Sequence, residues 1–366
     1  MDLGCKDDFF NRQIIRYSKS IINRMKILMA PLDWGLGHTT RIIPLVRAKR
    51  AAGNEVVLAC SPSQESQLKE HFPDLRLLSN LPAYSPSYND RFPMSVNLLL
   101  QLKRLLKTIS AEHEWLMQCE TKEGFDHIIS DHRYGLYHPS VRSSIVAHQL
   151  QIQGPKMIMG AVNRIQASFM NRFSECLIPD DPEQRLSGIL SSTYYLKIPC
   201  SYIGPLSRFT RAIPRPDAAR YQWCVLISGP DPKRKRFLNR LLELFLPLDI
   251  SVIIVSGDPT NASKSIRGSV TVVSHLGDAD LEQTVALSRN ILCRSGYSTI
   301  MDLAVWKRRA LLIPTAGQTE QEYLAQWHSR EHFHLTCSED DLNSEVLFQA
   351  DDAFSHASSD AIRIDI

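Results

Sequence analysis

From residue 25 onward, short runs of β-branched and apolar residues alternate with longer amphipathic segments, and this alternation occurs twice in a chain of 366 residues. It is the pattern of strand–helix units, because two parallel strands need a crossover long enough to hold a helix. Strands are expected at 26–30, 55–60, 126–130, 144–148, 174–178 and 198–203. A second set is expected at 222–227, 250–255, 269–273, 290–293, 310–314 and 333–337. Two doubly wound α/β sheets follow, and a content of 43% hydrophobic residues is enough to fill both cores.

The proline-containing stretch from Gly204-Pro205 to Arg220, with Pro214 and Pro216, has the composition of a linker over the surface. The expected organisation is an N-terminal extension at 1–24, a first domain at 25–205, a linker at 206–220, a second domain at 221–345 and a C-terminal tail or helix at 346–366. Residues 1–24 lack the apolar core and small-residue cleavage site of a signal peptide, and Met25 is the natural first residue of the fold.

With 42 basic and 39 acidic residues, the net charge of +3 does not call for nucleic acid as a partner. The eight cysteines form no C-x-x-C pair, and they read as reduced thiols of a cytoplasmic protein. No apolar run reaches the ~18–20 residues that span a bilayer, so membrane contact would be peripheral, at the inner membrane surface. One candidate for such contact is Val96 to Lys107, apolar with a basic edge, although a helix facing the core has the same pattern.

Ligands of open α/β sheets bind beyond the carboxyl ends of the strands, so the loops there carry the candidate residues. The first strand runs into Asp33-Trp34-Gly35-Leu36-Gly37-His38-Thr39-Thr40-Arg41, followed by a helix-like stretch from Ile42 to Ala51. Gly35 and Gly37 let backbone amides approach a ligand. Thr40 stands where a dinucleotide-binding loop needs a third glycine, and the second strand ends in Ala59-Cys60-Ser61 without an acid, which argues against a nicotinamide cofactor. An imidazole ordinarily titrates near neutrality, so His38 is a candidate general base on a hydroxyl, or alternatively a helix-start cap. Asp131, at the end of the third expected strand, is suited to orient His38, or to cap the helix after it. His132 and His138 have no metal-ligand spacing, and no metal or other cofactor is expected.

In the second half, Arg294-Ser295-Gly296-Tyr297-Ser298-Thr299 is a glycine turn with hydroxyls at a helix start, suited to a diphosphate. Asp302 could accept from ribose hydroxyls. The stretch Gln318-Thr319-Glu320-Gln321-Glu322 after the 310–314 strand offers amide and carboxylate groups to several sugar hydroxyls. Ser228 and Gly229 follow the first strand of this half, as Ser256-Gly257-Asp258 follow the second; both are also ordinary turn chemistry. Asp278-Ala279-Asp280 imitates a metal-binding D-x-D motif but opens a helix-like stretch, where carboxylates are favourable in any case.

Ser295-Gly296-x-Ser298-Thr299-x-x-Asp302, then Ile313-Pro314 and Glu320-Gln321, resembles the donor-binding half of GT-B glycosyltransferases, in particular the MurG-type N-acetylglucosaminyltransferases and the UDP-glycosyltransferase-like proteins. Gly35-Leu36-Gly37-His38 is similar to their acceptor loop, although Leu36 separates glycines that are usually adjacent, and Asp302 stands where a Glu is usual. The resemblance implies two Rossmann-like domains facing a cleft and inverting, metal-independent transfer from a UDP-sugar to an acceptor hydroxyl of unknown identity, a lipid-linked one included. It further implies that Ser295, Gly296 and Thr299 meet the diphosphate, Asp302 the ribose, and Glu320, Gln321 and Glu322 the sugar. Two alternatives share the architecture: a UDP-sugar hydrolase or epimerase, and a non-catalytic nucleotide-sugar-binding protein.

Overall fold

The structure, a computed structural model, describes residues 24–33, 36–62, 64–83, 94–154, 156–258 and 263–356. Gly35 and the N-terminal extension up to residue 23 lie outside the described residues. The chain forms two compact units. One holds the residues up to Gln184 and Ile189–Leu206; the other holds Arg185–Gly188 and the chain from Ser207 onward.

The first unit is a seven-stranded sheet in the order β3-β2-β1-β4-β5-β6-β7. Its strands are β1 (Lys26–Ala30), β2 (Glu55–Ala59), β3 (Arg76–Leu78), β4 (His127–Asp131), β5 (Arg142–Val146), β6 (Glu175–Ile178) and β7 (Cys200–Tyr202), and every pairing is parallel. Ile27, Leu28, Met29 and Ala30 are all fully buried, as expected for a central strand covered on both faces. The crossovers carry α1 (Leu36–Ala51), α2 (Glu65–His71), α3 (Met94–Glu123) and α4 (Lys156–Met170).

The second unit is also seven-stranded, in the order β10-β11-β9-β8-β12-β13-β14. Here β8 is Tyr221–Leu226, β9 Val252–Val255, β10 Lys264–Arg267, β11 Val270–Val273, β12 Ser288–Cys293, β13 Leu311–Leu312 and β14 Leu335–Thr336. Only β10 is antiparallel to its neighbour. Its helices are α5 (Lys233–Phe245), α6 (Asp278–Ala286), α7 (Tyr297–Trp306), α8 (Thr319–Arg330) and α9 (Ser344–His356). Phe237, Leu241 and Phe245 of α5 pack with Leu347, Ala350 and Phe354 of α9 in one core cluster, so the C-terminal helix is part of this unit's core.

Three features differ from the sequence expectations. The helix after β1 begins at Leu36 instead of residue 42, so His38 and Arg41 stand on its first turns. Two edge strands went unanticipated. β3 has three residues, and β10 is exposed along its length with charged Lys264 and Arg267, a composition that discourages further strand pairing. The segment expected to run over the surface as a linker instead buries Phe209 and Ile213 against Trp306 and Leu303 of α7. As expected, Asp278 and Asp280 lie in the first turn of a helix.

Candidate functional site

In a doubly wound sheet the strand order reverses at one place, and the chain leaves the two strands flanking it toward opposite faces, opening a crevice at their carboxyl ends. In the first unit that place lies between β1 and β4, where Ala30 pairs with Ser130. The residues just beyond them are the ones the sequence singled out. His38 on α1 and Asp131 at the end of β4 meet through Nδ1 and Oδ2 at 2.9 Å.

Asp131 is fully buried and Arg41 is 2% exposed. Arg41 Nε donates to both Asp131 oxygens at 3.0 Å, and Nη2 donates to Oδ1. The same Nη2 is 2.6 Å from His38 Nδ1 and 2.9 Å from His132 Nδ1, while Nη1 is 3.0 Å from His148 Nδ1. One guanidinium thus serves a carboxylate and three imidazoles. Burial opposes ionisation of Asp131, but the charge of Arg41, with the His38 and His132 imidazoles beside it, holds its carboxyl well below the usual range. Burial, and then Arg41, lower His38 to about 3 against the opposing pull of Asp131, so its imidazole is neutral at physiological pH. Its side chain keeps 17% of its surface exposed, enough for one ring edge to meet a ligand.

The loop leading to His38 is anchored from two sides. Gln64 Nε2 donates to Leu32 O at 2.9 Å and to Thr39 Oγ1 at 3.0 Å. Arg133 Nε donates to Pro31 O at 2.7 Å, and its other nitrogens reach Glu112 at 2.9 Å and Asp33 at 3.3 Å. Gly37 stands at the start of α1, where its carbonyl accepts from Thr40 Oγ1 at 3.0 Å.

His38, Asp131 and His132 could each offer one ligand atom to a metal, all within 4.8 Å of one another. Spacing along the sequence does not reveal this grouping. The set does not fit a metal, because the fixed positive charge of Arg41 already stands among those donor atoms and would have to be displaced.

In the second unit the order reverses between β8 and β12, where Leu226 pairs with Cys293. Beyond these strands lie exposed Ser228 and Gly229, and the 294–302 segment. Gly296 precedes α7, whose first-turn amides from Tyr297 to Thr299 stand ahead of the helix's own hydrogen-bond ladder, as at any helix start. Buried Ser295 donates from Oγ to Gln321 O at 2.7 Å, which ties this turn to α8 on the neighbouring crossover. Ser298 and Thr299 are half-buried.

Arg294 is placed differently from the expectation that it grips the donor. Its guanidinium is buried, 3.7 Å from the centre of the Phe237 ring and 2.7 Å from Glu339, and donates to Ile313 O at 3.2 Å. It braces the strand ends from inside. Asp302 accepts from Ser207 Oγ at 2.6 Å, and burial raises its carboxyl to about 6. Gln321 Oε1 accepts from Thr315 N at 2.9 Å, and Glu322 Oε1 from Gly317 N at 2.8 Å, so both shape the loop that leads into α8. Lys233 closes this group of loops, donating to Ala316 O at 2.9 Å. Glu320 lies half-buried and Gln318 exposed at the start of α8.

The residues that sequence reasoning missed are Arg41, His148, Gln64 and Lys233. Arg41 was visible only as the end of a glycine loop; a helix beginning at Leu36 would have placed it on the face of His38, three residues on.

Solved structures share this architecture along nearly the whole chain. The glycotransferase of kitacinnamycin superposes with a TM-score of 0.65 at 15% identity, covering 93% of each chain. The glycosyltransferase SnogD from Streptomyces nogalater gives 0.64 at 14% identity, covering 94% of this chain and 95% of its own. Arabidopsis thaliana UGT89C1, solved with quercetin and also with UDP-L-rhamnose, gives 0.63 at 12% identity in the quercetin complex, covering 93% and 92%. No family model and no curated protein matches the chain in sequence. The chain therefore has the fold of the GT-B glycosyltransferases.

Proposed function

We propose that this protein is an inverting, metal-independent glycosyltransferase that moves a sugar from a UDP-sugar to an acceptor hydroxyl. The observation that carries the reading is the His38–Asp131 pair at the switch point of the first sheet, in a fold shared with glycosyltransferases. His38 takes the proton of the acceptor hydroxyl on Nε2, and the ring's Nδ1–H donates to ionised Asp131. The acceptor oxygen attacks the anomeric carbon of the donor from the face opposite the diphosphate. The bond from that carbon to the diphosphate breaks, and UDP leaves with the electron pair.

The leaving charge is met by the first-turn amides of α7 and by the Ser298 and Thr299 hydroxyls, a preorganised set of dipoles. Gly296 lets the phosphates approach the backbone, and Asp302 faces the ribose once Ser207 yields to it. Gln318, Glu320, Gln321 and Glu322 present their remaining polar atoms to the sugar, with Ser228 and Gly229 beside them. The likeness of the 295–302 segment to MurG-type transferases favours an N-acetylhexosamine or hexose donor. The ligands with which UGT89C1 was solved, quercetin and UDP-L-rhamnose, favour a small hydroxylated acceptor and a UDP-sugar here too.

No helix among the described residues is long and apolar enough to cross a membrane. A cytoplasmic protein that rests on the inner membrane surface through α3 fits exposed Lys103, Arg104, Leu106 and Lys107; the side chains of α3 before residue 103 lie outside the described residues.

The donor site is tested by calorimetric titration of UDP. Thr299→Trp, at a half-buried position on the helix start, should abolish binding in a folded protein, and unchanged affinity would refute the site. A donor screen by UDP release, with and without sugar or lipid acceptors, then separates transfer from hydrolysis.

A further inference from the structure

His38 can serve as a base only if its single proton sits on Nδ1, leaving Nε2 with a lone pair. The groups around Nδ1 do not guarantee that. Arg41 Nη2 carries two hydrogens, and three acceptors face it: Asp131 Oδ1, His38 Nδ1 at 2.6 Å and His132 Nδ1 at 2.9 Å. Asp131 Oδ1 takes one hydrogen, because a carboxylate is the strongest acceptor present. The other goes to one of the two imidazoles.

The same two imidazoles compete for Asp131, with His38 Nδ1 at 2.9 Å from Oδ2 and His132 Nδ1 at 3.3 Å from Oδ1. An Nδ1 that accepts from Arg41 has no proton to give Asp131, so the two rings take opposite roles. In one arrangement His38 donates to Asp131 while His132 accepts from Arg41, with both contacts at 2.9 Å. In the other, His132 donates to Asp131 over 3.3 Å, and His38 accepts from Arg41 and carries its proton on Nε2, where it is useless as a base. Charge-assisted bonds to a carboxylate run at about 2.7–2.9 Å, which favours the first arrangement at Asp131; the 2.6 Å approach of Arg41 Nη2 to His38 Nδ1 favours the second, so the competition of His132 for that Nη2 hydrogen decides between them.

We infer that His132 is a positioning residue: by accepting the last Nη2 hydrogen of Arg41, it leaves the Nδ1 proton of His38 to Asp131 and the Nε2 lone pair free. This inference rests on the reading of His38 as the base. A second feature supports a specific role. His132 has a φ of 53°, in the left-handed region that residues other than glycine adopt uncommonly, directly after Asp131. That conformation turns the chain so that its ring lies 5.4 Å from the ring of His38 and 5.3 Å from that of His148.

Two substitutions separate acceptor chemistry from packing. His132→Phe keeps a ring but removes the acceptor. His132→Asn removes the ring, keeps an acceptor oxygen and suits the left-handed backbone. With ¹⁵N-histidine labelling, the wild-type protein should show His38 protonated at Nδ1 and His132 at Nε2. His132→Phe should move the His38 proton to Nε2 and lower kcat by about 10²-fold with KM little changed, whereas His132→Asn should restore both.

A wild-type His38 protonated at Nε2 would overturn the proposal without any variant, as would a His38 tautomer unchanged in a folded His132→Phe protein. Recovery by Phe but not by Asn would show a packing role instead. If the tautomer responds as stated while kcat does not follow it, His132 still sets the tautomer and the reading of His38 as the base is what fails.

Discussion

Arg41 stands three residues beyond His38 on α1, with Nη2 2.6 Å from His38 Nδ1, and through Nε it holds both oxygens of Asp131 at 3.0 Å. The guanidinium cancels most of the carboxylate's pull on the imidazole. An aspartate alone would favour the imidazolium; here burial and Arg41 lower His38 to about 3, so the ring stays in its proton-accepting form at neutral pH.

The Arg41–Asp131 pair is fully desolvated, so breaking it from one side should cost more than the pair contributes as a unit. Asp131→Asn is predicted to destabilise the protein by about 3–5 kcal/mol, because a buried guanidinium loses its counter-charge. Urea unfolding at neutral pH measures this, and Asp131→Asn combined with Arg41→Met should recover part of the loss.

Stability should fall in mild acid. Burial lowers His38 and His127 to about 3 and His328 to about 4, so below their ordinary value near 6.5 the unfolded chain binds protons that the folded one refuses. Their contribution is complete above that value and declines as pH falls toward 4. Asp302, raised to about 6, works in the opposite direction over part of the same window, and three histidines outweigh it. Asp131 is depressed, so its contribution persists until the pH falls below the ordinary carboxylate range. Denaturant midpoints should give a slope of roughly 1–3 kcal/mol per pH unit between pH 6 and 4.5.

Gly135 lies against α3, where an added Cβ would come within 2.4 Å of Ile109 O and 2.5 Å of Glu112 Cβ. Gly135→Ala should therefore destabilise by about 1–3 kcal/mol. It should also disturb Glu112, which accepts from Gly135 N at 3.1 Å and from Arg133, and through Arg133 the loop that carries His38. Thermal unfolding with acceptor-dependent turnover should show both effects together.

In the second unit, the Ser295 Oγ bond to Gln321 O joins the two loops proposed to meet diphosphate and sugar. Ser295→Ala should weaken UDP binding by about 2–10-fold, the net worth of one hydrogen bond. The sugar-nucleotide should lose at least as much as UDP, because α8 carries the residues assigned to the sugar. Calorimetric titration of both ligands reads this directly.

How far the sequence revealed this arrangement depends on which forces place each group. The strands flanking both switch points were legible because central parallel strands are continuously apolar, as Ile27 to Ala30 and Ile291 to Cys293 are. The position of His38, Asp131 and the 295–302 turn beyond the strand ends was legible because each follows an apolar, strand-like run. Arg41 was not, since glycines 35 and 37 suggested a longer loop and a loop has no fixed face. Arg294 was misplaced because a basic residue beside a phosphate-like turn suggests an anion, whereas its neighbours in space are Phe237 and Glu339, 57 and 45 positions away in sequence. β10 escaped because an exposed edge strand needs no apolar pattern.

Acceptor-dependent release of UDP by the wild-type protein and by His38→Ala tests the central claim most directly. The wild type should release UDP from its donor only when an acceptor hydroxyl is present. His38→Ala should lower that rate by about 10²–10⁴-fold while binding UDP with unchanged affinity. Equal release by both proteins, or release that does not depend on acceptor, would contradict the account.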